Sequence, residues 1–437
     1  MTDVDHRSRP APRTVPRWLT TRWALWCGFV VTHLWLAFVS LNGDRHPLGD
    51  VTLVYLPWMQ HGFATGHWVG LDLPWVYPIL ALLPMLLAFV FGPADYAITW
   101  LVLVMVLDAV AFGFLIGWRR PTPRGAAAWW WLGFLVLLGP IAVSRLDTVT
   151  VPFAIVGLLF VASRPRVAAA ILTTATWIKV WPAALVLALV VAAKARWRIL
   201  IAAVVSSAVI ACVAVVLGGG SQLLSFVSQQ STRGLQIEAP VSTLWLWQAF
   251  AGVRHAHVYY DTAMLTFQVD GDGAAAVSAL MTPLLGIVIV TIVLLAVLRV
   301  LGHAPTASLL PALSLALITA FIAFNKVGSP QYLAWLAAPI VLGLVLSAAG
   351  GGSFRVPAIL GVVLAALTQV IYPWFYDGVL ALDPLMLFVL TVRNLLLFVL
   401  LGWAVTAVWT SGRENARTGN AHERDRLEDV GHIARRE

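Results

Sequence analysis

Asp50 stands where a catalytic base for a membrane-bound substrate would stand. It lies in Gly43-Asp44-Arg45-His46-Pro47-Leu48-Gly49-Asp50-Val51-Thr52-Leu53-Val54-Tyr55, directly after the first long apolar run. A carboxylate at a membrane surface can take the proton of a sugar hydroxyl. The same residue can equally cap a helix over 51–61, because aspartate is a favoured N-cap. Asp44 is a second carboxylate in the same segment. Trp58, Gly66-His67-Trp68 and Trp75-Val76-Tyr77-Pro78 follow. Their rings suit either stacking on sugars or the aromatic belts found at membrane interfaces.

Four more groups place polar residues in or beside apolar sequence. A charge at mid-bilayer costs about 2.5–3.5 kcal/mol on insertion scales, which makes each one a candidate functional residue. Ser144-Arg145-Leu146-Asp147 reads as a structural ion pair or as part of a site. Lys179, in Trp177-Ile178-Lys179-Val180-Trp181-Pro182, falls at a break between two half-helices. Broken helices at membrane depth line cavities, and a lysine there either holds a phosphate as a point charge or snorkels to the headgroups. In Phe324-Asn325-Lys326-Val327-Gly328-Ser329-Pro330-Gln331-Tyr332, glycine and proline interrupt the helix while Lys326, Ser329, Gln331 and Tyr332 cluster. That combination suits an anionic headgroup or an interfacial turn anchored by lysine and tyrosine. Gln229-Gln230-Ser231-Thr232-Arg233-Gly234-Leu235-Gln236-Ile237-Glu238 reads as a substrate loop or as an amphipathic helix on the membrane surface. No P-loop, Rossmann glycine pattern, HExxH or nucleophile elbow is present. A lipid-borne substrate is therefore expected in place of a nucleotide-activated soluble one.

The elements that must position these groups are membrane helices. Of 437 residues, 60% are hydrophobic and 11% charged, and the mean hydropathy is +0.87. A soluble domain has about 45–50% apolar and roughly 25% charged residues. About 20 apolar residues cross roughly 30 Å of hydrocarbon. Runs at 23–41, 97–117, 127–143, 148–163, 199–217, 277–298, 307–323, 333–347, 356–371 and 385–408 are expected to cross. Residues 76–91, with Pro78 and Pro84, and 167–193, with Lys179 and Pro182, are expected to enter and leave on one side. The fold class is thus an all-α polytopic membrane protein with about ten crossings and two broken or re-entrant stretches.

With the N-terminus in the cytoplasm, the lysines and arginines collect on the cytoplasmic side. Of 28, only Arg45, Arg145, Lys179, Arg233, Arg254, Lys326 and Arg393 fall elsewhere. A full crossing at 76–91 would put the cluster Arg119–Arg124 outside. The formal charge of +8 is then an orientation signal that can also touch anionic lipid, and no nucleic-acid partner is expected. The acidic residues outside the tails lie in the membrane or on the outer side. They include Asp72, Asp95, Asp108, Asp261, Asp270, Asp272, Asp377 and Asp383 beside those already named. The domain plan is a disordered cytoplasmic tail at 1–18, a transmembrane domain at 19–410 with outer loops 42–96 and 218–276, and a disordered tail at 411–437. The first apolar run is read as a retained anchor. Cys27 and Cys212 lie in apolar runs, so neither disulfide nor zinc site is expected.

Taken in order, these segments form a pattern. Gly49-Asp50 and Tyr55 are followed by Tyr77-Pro78, Arg145-Leu146-Asp147, Lys179 with Pro182, Arg233 to Glu238, Lys326 to Leu333, and Thr368-Gln369 with Tyr372-Pro373. From about residue 40 to 376 this resembles the actinobacterial polyprenyl-phosphate-mannose-dependent α-(1,2)-mannosyltransferases. That group, which includes phosphatidylinositol mannoside mannosyltransferases, belongs to the GT-C membrane glycosyltransferases of family 87. The family's second proline after the tyrosine is here Ile79. The resemblance implies a GT-C fold and an inverting transfer of mannose at the outer face of the plasma membrane. Asp50 would be the base. Lys326 and Arg233, with Lys179 third, would hold the phosphate, and Tyr55, Tyr77, Arg145, Asp147, Glu238, Gln331 and Tyr332 would bind substrate. It implies a polyprenyl-phosphate sugar donor, a glycolipid acceptor, no cofactor and no metal. The domain is large enough to act as a monomer. The alternatives are a related lipid-phosphate-sugar transferase, such as an arabinofuranosyl transferase, and a lipid or sugar transporter, although no internal repeat is found.

Overall fold

The computed structural model describes residues 21–43, 45–117, 124–231, 233–262 and 264–412. The expected tail at 1–18, residues 413–437 of the other tail, Asp44, and Arg119 and Arg120 lie outside the described residues. Seventeen helices are described: α1 Arg22–Asn42, α2 Leu56–Thr65, α3 Leu82–Ala88, α4 Tyr96–Ile116, α5 Gly125–Leu138, α6 Leu146–Phe160, α7 Pro165–Ile178, α8 Ala183–Ala192, α9 Arg196–Val216, α10 Ser225–Ser231, α11 Thr243–Phe250, α12 Ala274–Leu301, α13 Thr306–Ala323, α14 Ala337–Ala348, α15 Arg355–Gln369, α16 Tyr376–Leu380 and α17 Pro384–Thr410. Among the described residues, nine helical stretches are long and apolar enough to cross a membrane, counting the short turns that extend α5, α14 and α15. The 15-residue α6 is the tenth expected crossing, and Ile79–Ala88 and α8 are short apolar helices.

The ends of these helices define two ends of the bundle. Arg22 Nη2 donates to the carbonyl of Gly117 at 2.7 Å, so the start of α1 meets the end of α4. The chain from 43 to 95 therefore leaves and returns at one end. Pro78 holds an extended backbone before Ile79, and Pro84 lies in the first turn of α3, where its missing N–H is tolerated. Thr306 Oγ1 donates to Ala192 O at 3.0 Å, which joins the end of α8 to the start of α13 at the opposite end. The α7–α8 hairpin thus presents its break, Lys179 to Pro182, to the same end as Asp50.

α13 is buried on nearly every side and packs against α8, α12, α14 and α17. α9 and α12 expose long rows of Val, Leu and Ile, as all-round apolar helices facing lipid do. α1 and α4 are tied inside the bundle by His33 Nε2 and Asp108 Oδ2 at 3.0 Å, with His33 Nδ1 against Phe29 O at 2.9 Å.

The segment 218–276, expected as a loop, holds a small sheet. α10 ends at Ser231, and the chain then forms an antiparallel sheet of β1 Leu235–Gln236, β2 His257–Asp261 and β3 Thr266–Asp270 in the order β1-β3-β2. Residues 257–261 and 266–270 alternate. Val258, Tyr260, Phe267 and Val269 face one side, with Leu235 beside Val269. Leu235, Val258, Phe267 and Val269 join an apolar cluster with Trp245 and Leu246, against α11 and α12, while Tyr260 stays exposed.

Candidate active site

Asp50 opens a π-helical turn, Asp50–Tyr55, that runs straight into α2. A π turn closes i→i+5 bonds, here Leu56 N to Val51 O, so residues five apart stack on one face. Asp50 and Tyr55 consequently address the same neighbours. Asp50 Oδ2 pairs with Arg145 Nε at 3.1 Å, and Tyr55 Oη accepts from Leu146 N at 3.3 Å. The N-cap position belongs to Gly49, and no side-chain cap bond forms there. The aspartate is thus spent on the arginine, and the capping alternative is not what the structure has.

Arg145 is held on every nitrogen. Nη1 donates to Pro47 O at 2.7 Å and Ser144 O at 2.9 Å, and Nη2 donates to Tyr372 Oη at 2.9 Å. Arg145 is 5% exposed. Such a planar fork, locked from behind, fixes the carboxylate it meets. Asp50 keeps a third of its side chain open and has no other hydrogen-bond or ion-pair partner among the described residues. Its second oxygen is therefore available to a substrate.

A second constellation surrounds the hairpin break. Lys179 Nζ pairs with Asp147 Oδ2 at 3.2 Å and lies 4.6 Å from the centroid of the Tyr77 ring. Asp147 Oδ1 accepts from Trp335 Nε1 at 2.8 Å. Trp335 stacks between Trp181, at 5.5 Å, and Tyr332, at 4.2 Å. Thr150 Oγ1 accepts from Trp181 Nε1 at 2.8 Å, closing the break against α6. Lys179 therefore already has its counter-charge and its aromatic face. It shapes the wall and offers less spare charge than an uncompensated cation would.

The third group lies along the open edge of β1. Gln236 N donates to Lys326 O at 3.0 Å, and Ser329 Oγ donates to Gln236 Oε1 at 3.2 Å. Arg233, just before β1, is near enough for its charge to act on Lys326 and Tyr332. Arg233 Nε has no hydrogen-bond partner among the described residues. Burial and the neighbouring guanidinium push the Lys326 ammonium below its usual range. Lys326 is buried and Arg233 half-buried. Gly328 makes the approach possible, because a Cβ there would overlap the backbone of Glu238 and Ala239. Gln331 is half-buried in the same turn.

Glu238 has a partner of its own. It pairs with Arg393 at 2.7 Å, and each side chain is 2% exposed. Burial pushes the carboxyl up to about 7 while Arg393 pulls the other way. Desolvation thus outweighs the attraction, as in buried pairs that apolar residues can replace. Glu238→Ala should leave Arg393 uncompensated and destabilise the protein by about 3–5 kcal/mol. Glu238→Leu with Arg393→Met should recover most of that loss, read as the unfolding midpoint in detergent.

The structure therefore joins Asp50, Tyr55 and Arg145 into one cluster. It joins Tyr77, Asp147, Lys179 and Tyr332 into a second, and Arg233 and Lys326 into a third. Glu238 is paired with Arg393 and also feels the charge of Arg145. Tyr372, Trp335 and Trp181 complete the site although none was assigned a role from sequence. Tyr372-Pro373 already carried part of the family pattern, whereas nothing distinguishes Trp335 among 21 tryptophans.

No family model matches the chain, and no curated protein does. Among solved structures it is similar to ArnT from Cupriavidus metallidurans bound to undecaprenyl phosphate. That alignment has 16% identity over 89% of this chain and 78% of that one, with a TM-score of 0.46. ArnT from the same organism in the apo state aligns over 90% and 78%, at 15% identity and a TM-score of 0.44.

Proposed function

We propose that this chain is a GT-C glycosyltransferase of family 87. In this reading it moves a mannosyl residue from polyprenyl-phosphate-mannose to a lipid-linked glycan or phosphatidylinositol mannoside at the outer face of the plasma membrane. The transfer inverts the anomeric centre and gives an α-1,2 linkage. The observation that carries this reading is the pairing of opposite functions at one end of the bundle. A positioned carboxylate with a free oxygen, Asp50, shares that end with the Arg233–Lys326 cation pair. The ordered set of residues shared with the mannosyltransferase family supports the choice of donor. The distribution of lysines and arginines supports the outward orientation.

Asp50 takes the proton of the acceptor hydroxyl while that oxygen attacks C1 of the sugar. The C1–O bond to the lipid phosphate breaks, and the bonding electrons leave with the phosphate. Arg233 and Lys326 receive the growing negative charge, the task for which preorganised cations are most effective. Arg145 holds Asp50 in line and is a positioning residue. The aromatic wall of Tyr77, Tyr332, Trp335 and Trp181 excludes water from one side.

The reading is tested by transfer of radiolabelled mannose from polyprenyl-phosphate-mannose to mannolipid acceptors in purified membranes. Transfer only from a pentosyl donor, or none from any lipid-phosphate sugar, would overturn it. The same assay checks the cation pair. Lys326 must be protonated to hold phosphate, so kcat/KM should fall as pH rises through its lowered pKa, before the ordinary lysine range near 10.4. Arg233→Gln removes the neighbouring positive charge and should move that alkaline limb to higher pH while raising the donor KM. Lys326→Arg should abolish the limb.

A further inference from the structure

The end of the bundle opposite Asp50 carries cations that none of the chemistry above uses. Arg164 and Arg166 stand at the start of α7, and Lys194, Arg196 and Arg198 at the start of α9. All five are exposed. The two helices start at the same end, because α7 and α8 form a hairpin and three residues lead from α8 into α9. Among the described residues, no aspartate or glutamate lies at that end. Asp108 is enclosed between α1 and α4, and the other carboxylates belong to the end that holds Asp50.

α7 and α9 pack against each other, and one bond fixes their register. Trp177 Nε1 donates to Ser207 Oγ at 3.1 Å. Arg166 lies eleven residues before Trp177, and Arg196 lies eleven before Ser207. Eleven residues wind three full turns plus about 20° and rise about 16 Å. Each arginine therefore stands on the face of its helix that meets the other helix, and the two stand at the same level. Burial agrees with this. Thr173 lies on that stripe of α7, Ile199 and Ala203 lie on that of α9, and all three are buried. Two guanidiniums thus share the mouth of one helix seam. Neither helix start has a side-chain cap bond, so first-turn N–H groups also point toward that mouth.

The surroundings give the level of the seam in a membrane. Trp197, next to Arg196, is 71% exposed, as tryptophans at a membrane interface are. Ile201, Val204 and Val205 follow on the open side of α9 and are exposed as well. A ligand here meets cations first and an open apolar surface directly beyond them.

We infer that the mouth of the α7–α9 seam is a binding site for an anionic phospholipid of the leaflet opposite Asp50, with its phosphate between Arg166 and Arg196 and its acyl chains along α9. An excess of basic residues at one end sets orientation, but it does not require two arginines to face one seam. The planar arginine fork matches phosphate oxygens. A zwitterionic headgroup would bring its own ammonium among five cations, and an anionic headgroup does not. A soluble anion would leave the apolar side of α9 uncovered.

The site is tested on full-length protein, delipidated in detergent, by native mass spectrometry with phosphatidylglycerol and with phosphatidylcholine. Wild type should bind phosphatidylglycerol at least tenfold more tightly. Arg166→Gln with Arg196→Gln should lose that preference. Arg124→Gln with Arg355→Gln removes two charges at the same end, at the starts of α5 and α15, and should keep it. The unfolding midpoint is a second readout, since a ligand that binds only the folded protein raises it. Phosphatidylglycerol should raise the wild-type midpoint more than phosphatidylcholine does, and this difference should vanish in the seam variant. A preference that survives in the seam variant would overturn the site. Equal loss in the control variant would show diffuse attraction to the whole end and would also overturn it. Inorganic phosphate that binds wild type but not the seam variant, with no preference between the two lipids, would make the occupant a free anion and refute the lipid.

Discussion

Asp50→Asn is expected to abolish mannosyl transfer in a protein that still folds. Asparagine matches aspartate in size and can stay within reach of Arg145. It cannot take a proton at neutral pH. General-base catalysis contributes about 10²–10⁴-fold, so kcat should fall by that factor while KM for the lipid donor changes little. Arg145 keeps Pro47 O, Ser144 O and Tyr372 Oη as anchors, so the guanidinium should hold its place. The thermal midpoint should fall less than in Glu238→Ala, because Asp50 is part-exposed and the amide can still reach Arg145. Normal transfer by correctly folded Asp50→Asn would remove Asp50 as the base and would turn attention to Asp147. Loss of activity together with loss of folding would point to a structural role for the Asp50–Arg145 pair, and Asp50→Glu would then separate charge from geometry.

The second large effect is expected from one methyl group. Gly328→Ala puts a Cβ into the backbone of Glu238 and Ala239. A neighbouring side chain could rotate aside, but backbone held by β1 and by the buried Glu238–Arg393 pair cannot. The segment carrying Lys326 must therefore move off the edge of β1. That movement loses the Gln236–Lys326 and Ser329–Gln236 bonds and separates Lys326 from Arg233. Overpacking of this kind costs about 1–3 kcal/mol in stability. A displacement of about 1 Å at a reacting centre can cost 10²-fold in rate. The variant should fold, with a lower midpoint and kcat/KM for the donor down about 100-fold. Wild-type kinetics for Gly328→Ala would show that the close approach has no bearing on the site.

These two residues differ in how far the sequence exposes them. Asp50 is conspicuous because a carboxylate directly after a membrane span is rare and faces a surface. Lys179 is conspicuous because a lysine in an apolar hairpin needs a reason. The spans themselves are legible because the bilayer imposes a fixed length of apolar chain, and the re-entrant 76–91 follows from charge parity. Partnerships are not legible. Glu238 and Arg393 are 155 residues apart, and no local pattern says that they pair. Trp335 reads as one more interfacial aromatic, yet it bonds Asp147 and stacks on Tyr332. The sheet is hidden for another reason. Strands of two to five residues give too short an alternation to stand out beside polar segments that also suit a surface helix. Gly328 is visible as a helix breaker, but its tight contact depends on a loop some ninety positions earlier in the chain.

The π turn at Asp50–Tyr55 makes spacing, more than side-chain identity, the protected quantity in this stretch. Asp50 reaches Arg145 and Tyr55 reaches Leu146, two neighbours in sequence, because the turn stacks positions five apart. Leu53, in the middle, points outward and is 72% exposed, so its side chain is free to vary among apolar types. The winding has no such freedom. The same six residues wound as an ordinary α-helix, at 3.6 residues per turn, would swing Tyr55 about 140° from Asp50. An α-helix brings together positions four apart, so among proteins that share this site loss of one residue here should go with loss of the π turn.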